Sequence, residues 1–265
     1  MLVVGERINT SRKRINEAVR GRDAEVIKNE ASMQVAAGAD YIDINAGTSV
    51  ARETDDLKWL VETVQSVTDM PLCIDSANPQ AIRAALALVD KPPIINSITA
   101  EASRKDAILP LVAESDASVV ALLMGDEGMP EDSAGRLAVA ETLLGQIEKA
   151  GIARGRVHID PLVRPVSTDT RQGSEVLKTV RAVMTGWPGV HTICGLSNIS
   201  FGLPVRNVLN ATFLALMIEA GLDGAIIDPT EPRMVATIAA AEALLGRDDF
   251  CMRYIEEHRA GHLML

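Results

Sequence analysis

The chain has 265 residues, of which 47% are hydrophobic, 23% charged and only 3% aromatic. Those proportions exclude a disordered chain, and the shortage of rings argues against a stacking platform for single-stranded nucleic acid. With 36 Asp+Glu against 26 Lys+Arg the formal net charge is -10, which repels phosphate backbones and sets nucleic acid aside as a partner.

In chain order, short Val- and Ile-rich runs alternate with longer helical patterns. The runs are Leu2–Gly5, Tyr41–Ile44, Leu72–Ile74, Pro93–Ile95, Ser118–Met124, Val157–Ile159, Thr192–Gly195 and Ala225–Ile227. Strands alternating with helices imply βαβ units and a parallel sheet. Leu57, Leu60, Val61, Val64 and Val67 follow the i, i+3, i+4, i+7 spacing of a helix face, as do Leu137, Ala140, Leu143, Leu144 and Ile147. Asn78-Pro79 reads as an N-cap followed by proline at the first helical position. Gly38, Gly151 and Gly221 stand where a left-handed C-cap belongs. Eight such units without a linker predict one (β/α)8 barrel domain over 1–265. An open doubly wound sheet is the competing fold, but the first strand runs into Glu6-Arg7-Ile8-Asn9 without a G-x-G-x-x-G turn.

Cys73, Cys194 and Cys251 are far apart and form no C-x-x-C pair, so neither a zinc ribbon nor a disulfide framework is signalled and a reducing cytoplasm is expected. Cys73, two residues before Asp75 on one strand face, reads as a small core residue. No run approaches the roughly 18 apolar residues of a membrane span. The opening MLVVGERINTSRK is too short in its apolar part for a secretory signal.

Barrel chemistry sits at the C-terminal strand ends. In order these carry Glu6 and Asn9, Asp43 and Asn45, Asp75, Asn96, Gly125-Asp126, Asp160, Ser197-Asn198, and Asp228. An Asp at a βα junction is often only the N-cap of the next helix, and Asp228 before Pro229-Thr230 reads as such a cap or as a structural bond. No Lys closes a strand, which removes a Schiff-base nucleophile. No His closes one, so a His-x-His metal site is unsupported; no intrinsic metal is expected, with a carboxylate-only Mg²⁺ site as the alternative. GLSNISFG and IIDPTEP after the last two strands lack a Gly-Gly phosphate cradle. A ring of Asp and Asn suits a planar, neutral ligand rich in donors and acceptors. A 2-amino-4-oxo pyrimidine fits, because a carboxylate accepts in a fork from the 2-amino group and the adjacent ring N–H, while a carboxamide offers both functions. A pterin or a purine-like ring meets this description.

GERIN (5–9), DINAG (43–47), CIDS (73–76), INS (95–97), IDPL (159–162) and GLSNIS (195–200) together resemble the pterin-binding methyltransferase family. Within it they resemble the methyltetrahydrofolate:corrinoid protein methyltransferases of anaerobes that use methyl groups. The resemblance implies that Asp75, Asn96 and Asp160 hold the pterin and that Asn198 lies close to N5, which bears the methyl group. It also places Glu6 and Asn9 at the same mouth. Asp43, Ser197 and Arg206 complete the binding set. The implied reaction moves a methyl group between tetrahydrofolate and a corrinoid carried by another protein. Asn198 is then the group that bonds protonated N5, with Glu6 or Asp160 relaying the proton, and a homodimer is typical. Asn210–Leu222 and Met234–Leu245, apolar around much of their circumference, are the candidate dimer surface. A dihydropteroate synthase is the alternative, but Ser197 is followed by Asn198 and Ile199 where that enzyme carries a basic pair. A non-catalytic folate-binding subunit is the third reading.

Overall fold

The computed structural model describes residues 1–263; Met264 and Leu265, the end of the expected 1–265 domain, lie outside the described residues. Eight parallel strands form the sheet: β1 Leu2–Asn9, β2 Tyr41–Asn45, β3 Leu72–Asp75, β4 Ile94–Ile98, β5 Ser118–Leu122, β6 Val157–Asp160, β7 His191–Thr192 and β8 Gly224–Ile227. The helices between and after them are α1 Lys13–Gly21, α2 Ala24–Ala36, α3 Glu53–Gln65, α4 Pro79–Leu86, α5 Ala102–Ala113, α6 Ser133–Lys149, α7 Gln172–Gly186, α8 Arg206–Ala220, α9 Pro232–Leu244 and α10 Met252–Arg259. Strand order follows the chain, with β8 beside β1. A bridge between Gly195 and Ile226, where the Ile226 N–H donates to Cys194 O at 2.9 Å, draws the last seam together. The result is the expected (β/α)8 barrel. Its strands are largely buried on both faces, which is why most read as short apolar runs broken only by the polar residues near their C-terminal ends.

Val4, Cys73, Ile94, Val120, Ile193 and Ile226 fill the barrel interior, with Leu2 and Tyr41 against them. A larger apolar layer, including Ile42, Leu57, Leu60, Val64, Ile82 and Leu143, seals sheet to helices. The predicted cap forms: Asn78 Oδ1 accepts from the Gln80 and Ala81 N–H groups, and Pro79 opens α4. Gly38, Gly151 and Gly221 all have positive φ, as their C-cap positions require. Two details differ from the sequence reading. Val67 lies past the end of α3 and is exposed, because the helix stops at Gln65. The seventh strand is only His191–Thr192, since the chain leaves the ladder soon after Thr192 for a short 3-10 turn, Leu196–Ser200. Among the described residues no helix is long and apolar enough to cross a membrane.

Candidate functional site

Barrel alternation decides which side chains reach the mouth. Asp75 and Asn96 are register partners on β3 and β4, and Leu122 pairs with Asp160 across β5 and β6. Asp43 pairs with Cys73, one layer lower, beneath Asp75. Glu6 reaches the mouth through a bulge: Gly5 pairs with Ile42 but Ile8 with Ile44, so β1 carries an extra residue there. The Arg7 N–H freed by the bulge donates to Gln34 Oε1 of α2 at 3.0 Å. That glutamine lies so close that a Cβ on Gly5 would stand 2.4 Å from its oxygen. Glycine at position 5 is therefore what admits the tie that aims Glu6.

One cavity of ≈ 870 Å³ opens over the mouth. It is lined by every site residue named from the sequence: Glu6, Asn9, Asp43, Asp75, Asn96, Asp160, Ser197, Asn198 and Arg206. Ser197 and Asn198 stand on the 3-10 turn, and Arg206 opens α8, donating from Nη2 to Ser197 O at 2.6 Å and from Nε to Ser200 Oγ at 3.0 Å. Asp228 does not cap α9, whose N-cap is Glu231; its carboxylate instead accepts from the Thr230 N–H and hydroxyl and from Arg7 Nη1 at 2.7 Å, a structural bond. Asp126 likewise accepts from the Ala102 N–H at the start of α5. Cys73 is fully buried, as a core residue should be.

The structure adds residues the sequence reading did not assign to the site. Asn45 Nδ2 donates to Asp75 Oδ2 at 2.8 Å, and its own Oδ1 accepts from the Gly47 N–H. Arg104 donates to Ser97 O, Ser97 Oγ and Ser76 O, tying the tops of β3 and β4 together beside Asp75. The Ser76 hydroxyl donates to buried Glu53 at 2.6 Å. Asn45 was visible as a strand-end amide. Arg104, well inside the following helical pattern, carried no signal.

Burial dominates the electrostatics. It pushes Glu6 up to about 7, against the opposing pull of Arg12. It likewise pushes Asp160 up to about 7, although the Leu162 and Gly195 N–H groups favour its charged form. Asp43 is held well above the usual carboxylate range by burial and by Asp75, and one of its oxygens has no hydrogen-bond partner. Asp75 is raised by burial too, less so because Asn45 and Arg104 favour its charge. The mouth thus stores protons near neutrality, which a general acid–base site needs.

The sequence pattern of the pterin binding enzyme family matches residues 5–228. The chain is 34% identical to a methylcorrinoid:tetrahydrofolate methyltransferase of Eubacterium limosum over 99% of this chain and 98% of that one. It is 32% identical to the methionine synthase of Mycobacterium tuberculosis over 86% of this chain, which spans only 20% of that longer protein. A dihydropteroate synthase from Xanthomonas albilineans, solved in complex with 7,8-dihydropteroate, superposes with a TM-score of 0.69 at 19% identity, covering 92% of each chain. At that identity the superposition speaks for the fold alone. By sequence pattern and by full-length relative, the chain belongs to the pterin-binding enzyme family.

Proposed function

We propose that this protein is a methyltransferase that moves a methyl group between N5 of methyltetrahydrofolate and the cobalt of a corrinoid carried by a partner protein. The observation that carries the reading is the convergence of Asp75, Asn96, Asp160 and Asn198 on one open cavity, in a chain that aligns end to end with a methylcorrinoid:tetrahydrofolate methyltransferase.

Asp75 and Asp160 accept from the amino group and ring N–H groups of the pterin, and Asn96 matches its neighbouring acceptor and donor. A methyl group on a tertiary amine leaves poorly, because its nitrogen would depart as an amide anion. A proton on N5 makes the leaving group a neutral amine. In the forward step the N5–methyl bond breaks with its electron pair left on nitrogen, and a carbon–cobalt bond forms with the pair supplied by cobalt(I). The protein contributes position and hydrogen bonding. Asn198 bonds N5 more strongly as that atom gains charge. An amide is no acid, so the proton comes from solvent through Glu6 or Asp160, both poised near 7. The same site runs in reverse.

The working form is a homodimer in a reducing cytoplasm. On α8 and α9, Leu209, Leu216, Leu244 and Leu245 are exposed, Leu244 by 88%, around an apolar groove of ≈ 420 Å³ between the two helices. α10 buries none of its residues within the chain. A second copy covers this surface, and a solution mass near 28.3 kDa at all concentrations would contradict it.

Isotope-labelled methyl exchange between methyltetrahydrofolate and free cobalamin separates the readings. Label should appear on cobalamin. Dihydropteroate formed from a pterin pyrophosphate and p-aminobenzoate would indicate the synthase instead, and folate binding without either reaction would indicate a carrier.

A further inference from the structure

Behind Asp160 lies a cation that none of the preceding chemistry uses. Arg136, in the first turns of α6, is fully buried, yet no carboxylate lies within ion-pair distance of it among the described residues. Its Nη2 donates to Gln172 Oε1 at 2.6 Å and to Leu162 O at 3.2 Å, while Nε and Nη1 have no partner. Gln172, also fully buried, is fixed by donating from Nε2 to Glu131 O and Asp169 Oδ2. An unpaired buried guanidinium is costly, so packing alone is a weak reason for its presence.

What the guanidinium holds is the turn that orients Asp160. Leu162 has a φ of 59°, a strained conformation for a residue with a branched side chain. On one side of this turn the Leu162 N–H donates to Asp160 Oδ1 at 2.8 Å; on the other the Leu162 carbonyl accepts from Arg136. We propose that Arg136 is the positioning residue of Asp160: it fixes the carboxylate through the Leu162 turn and supplies an unneutralised positive field behind it. This inference rests on the reading of Asp160 as a pterin-holding group. Burial raises the Asp160 carboxyl, and Arg136 pulls it back down. The charged groups whose fields reach the guanidinium are Asp132 at the N-cap of α6, Glu175 on α7, Arg164 in the intervening loop and Asp160 itself. Across the seam, Cys194 on the neighbouring chain segment is raised by burial and by Asp160, so it brings no competing charge.

The test is the pH dependence of methyltetrahydrofolate binding, titrated on parent, Arg136→Met, Arg136→Lys and Gln172→Glu proteins. Protonation of N5 is common to all four and cancels in the comparison. Affinity in the parent should fall as pH drops through the free Asp160 value. In Arg136→Met that break should move up, as expected on losing a nearby opposite charge, with weaker binding on the plateau. Arg136→Lys keeps the charge but loses the planar guanidinium geometry, so its break should stay with the parent while the plateau weakens. Gln172→Glu leaves an acceptor for the guanidinium and neutralises it, at the cost of the two bonds its amide nitrogen donates to Glu131 O and Asp169 Oδ2, so its break should move up as in Arg136→Met. It provides that reading should Arg136→Met not fold. Equal loss at every pH, with an unmoved break in the charge-removing and charge-neutralising variants, would reduce Arg136 to a structural tie and overturn the inference alone. A parent that does not bind methyltetrahydrofolate would overturn the site reading and this inference with it.

Discussion

At the scale of single residues, the proposed mechanism divides the mouth into groups that hold the ring and one that meets the reacting atom. Asp75 and Asp160 hold. Replacing either by Asn removes a charge-assisted acceptor, and methyltetrahydrofolate affinity should fall by about 1–3 kcal/mol in each case. Titration of both variants checks this, and parental affinity in both would mean that the ring binds elsewhere. Asn198 is different, because the proposed mechanism sets its carboxamide against an atom that gains charge during the reaction. For Asn198→Ala the rate constant should fall more than affinity does, by about 2–3 kcal/mol or roughly 30- to 150-fold. The defect should shrink as pH falls, because bulk acid then protonates N5 without help. A parental rate with poor binding would place Asn198 among the simple holding residues.

At the scale of elements, the bulge in β1 is the device with most leverage. Gly5, Gln34 and the Arg7 N–H form a unit in which the glycine makes room, the glutamine accepts and the strand turns Glu6 inward. A methyl group at position 5 would stand 2.4 Å from the Gln34 oxygen, so Gly5→Ala should cost about 1–3 kcal/mol of stability through overpacking and weaken folate binding by displacing Glu6. Chemical denaturation and a folate titration measure the two effects, and unchanged values in both would show that the bulge tolerates a side chain. Nothing in GERIN announces that bulge, since it depends on a residue almost thirty positions away. The strands themselves were readable because a sheet covered on both faces demands continuous apolar runs. Their polar ends were readable because barrel topology sends them all to one face. Arg104, Arg136 and Gln172 were not: each sits inside a helical pattern or loop, and its role comes from contacts with segments distant in the chain. Asp228 shows the reverse, a strand-end carboxylate whose partners, Thr230 and Arg7, assign it to structure.

At the scale of the whole molecule, the raised carboxyls have a collective consequence. Glu6 and Asp160 lie near 7 in the folded chain against ordinary values of 4.5 and 3.8, and Asp43 and Asp75 are raised as well. Over roughly pH 4 to 7 these carboxyls keep protons that the unfolded chain releases, and they outnumber His158, which burial pushes down to about 4 and which works the other way, so stability falls as pH rises through that window. Asp228 works oppositely: burial alone would raise it, but Thr230 and Arg7 bring it down. Its contribution is therefore lost only in acid, below the ordinary carboxylate value. The ligand-free protein should have a higher denaturant midpoint near pH ~5.5 than near pH ~8. A midpoint that climbs across the same interval would contradict these assignments.

The central claim is that this barrel transfers methyl groups by position and hydrogen bonding, with the nucleophile brought by the corrinoid. Single-turnover mixing of the methyltetrahydrofolate-loaded protein with cob(I)alamin, after exhaustive chelation of divalent ions, tests it most directly. The account predicts a colour change reporting methyl transfer, at a rate that saturates with folate and is untouched by the chelator. No transfer, or transfer that returns only when one divalent ion is restored, would contradict it.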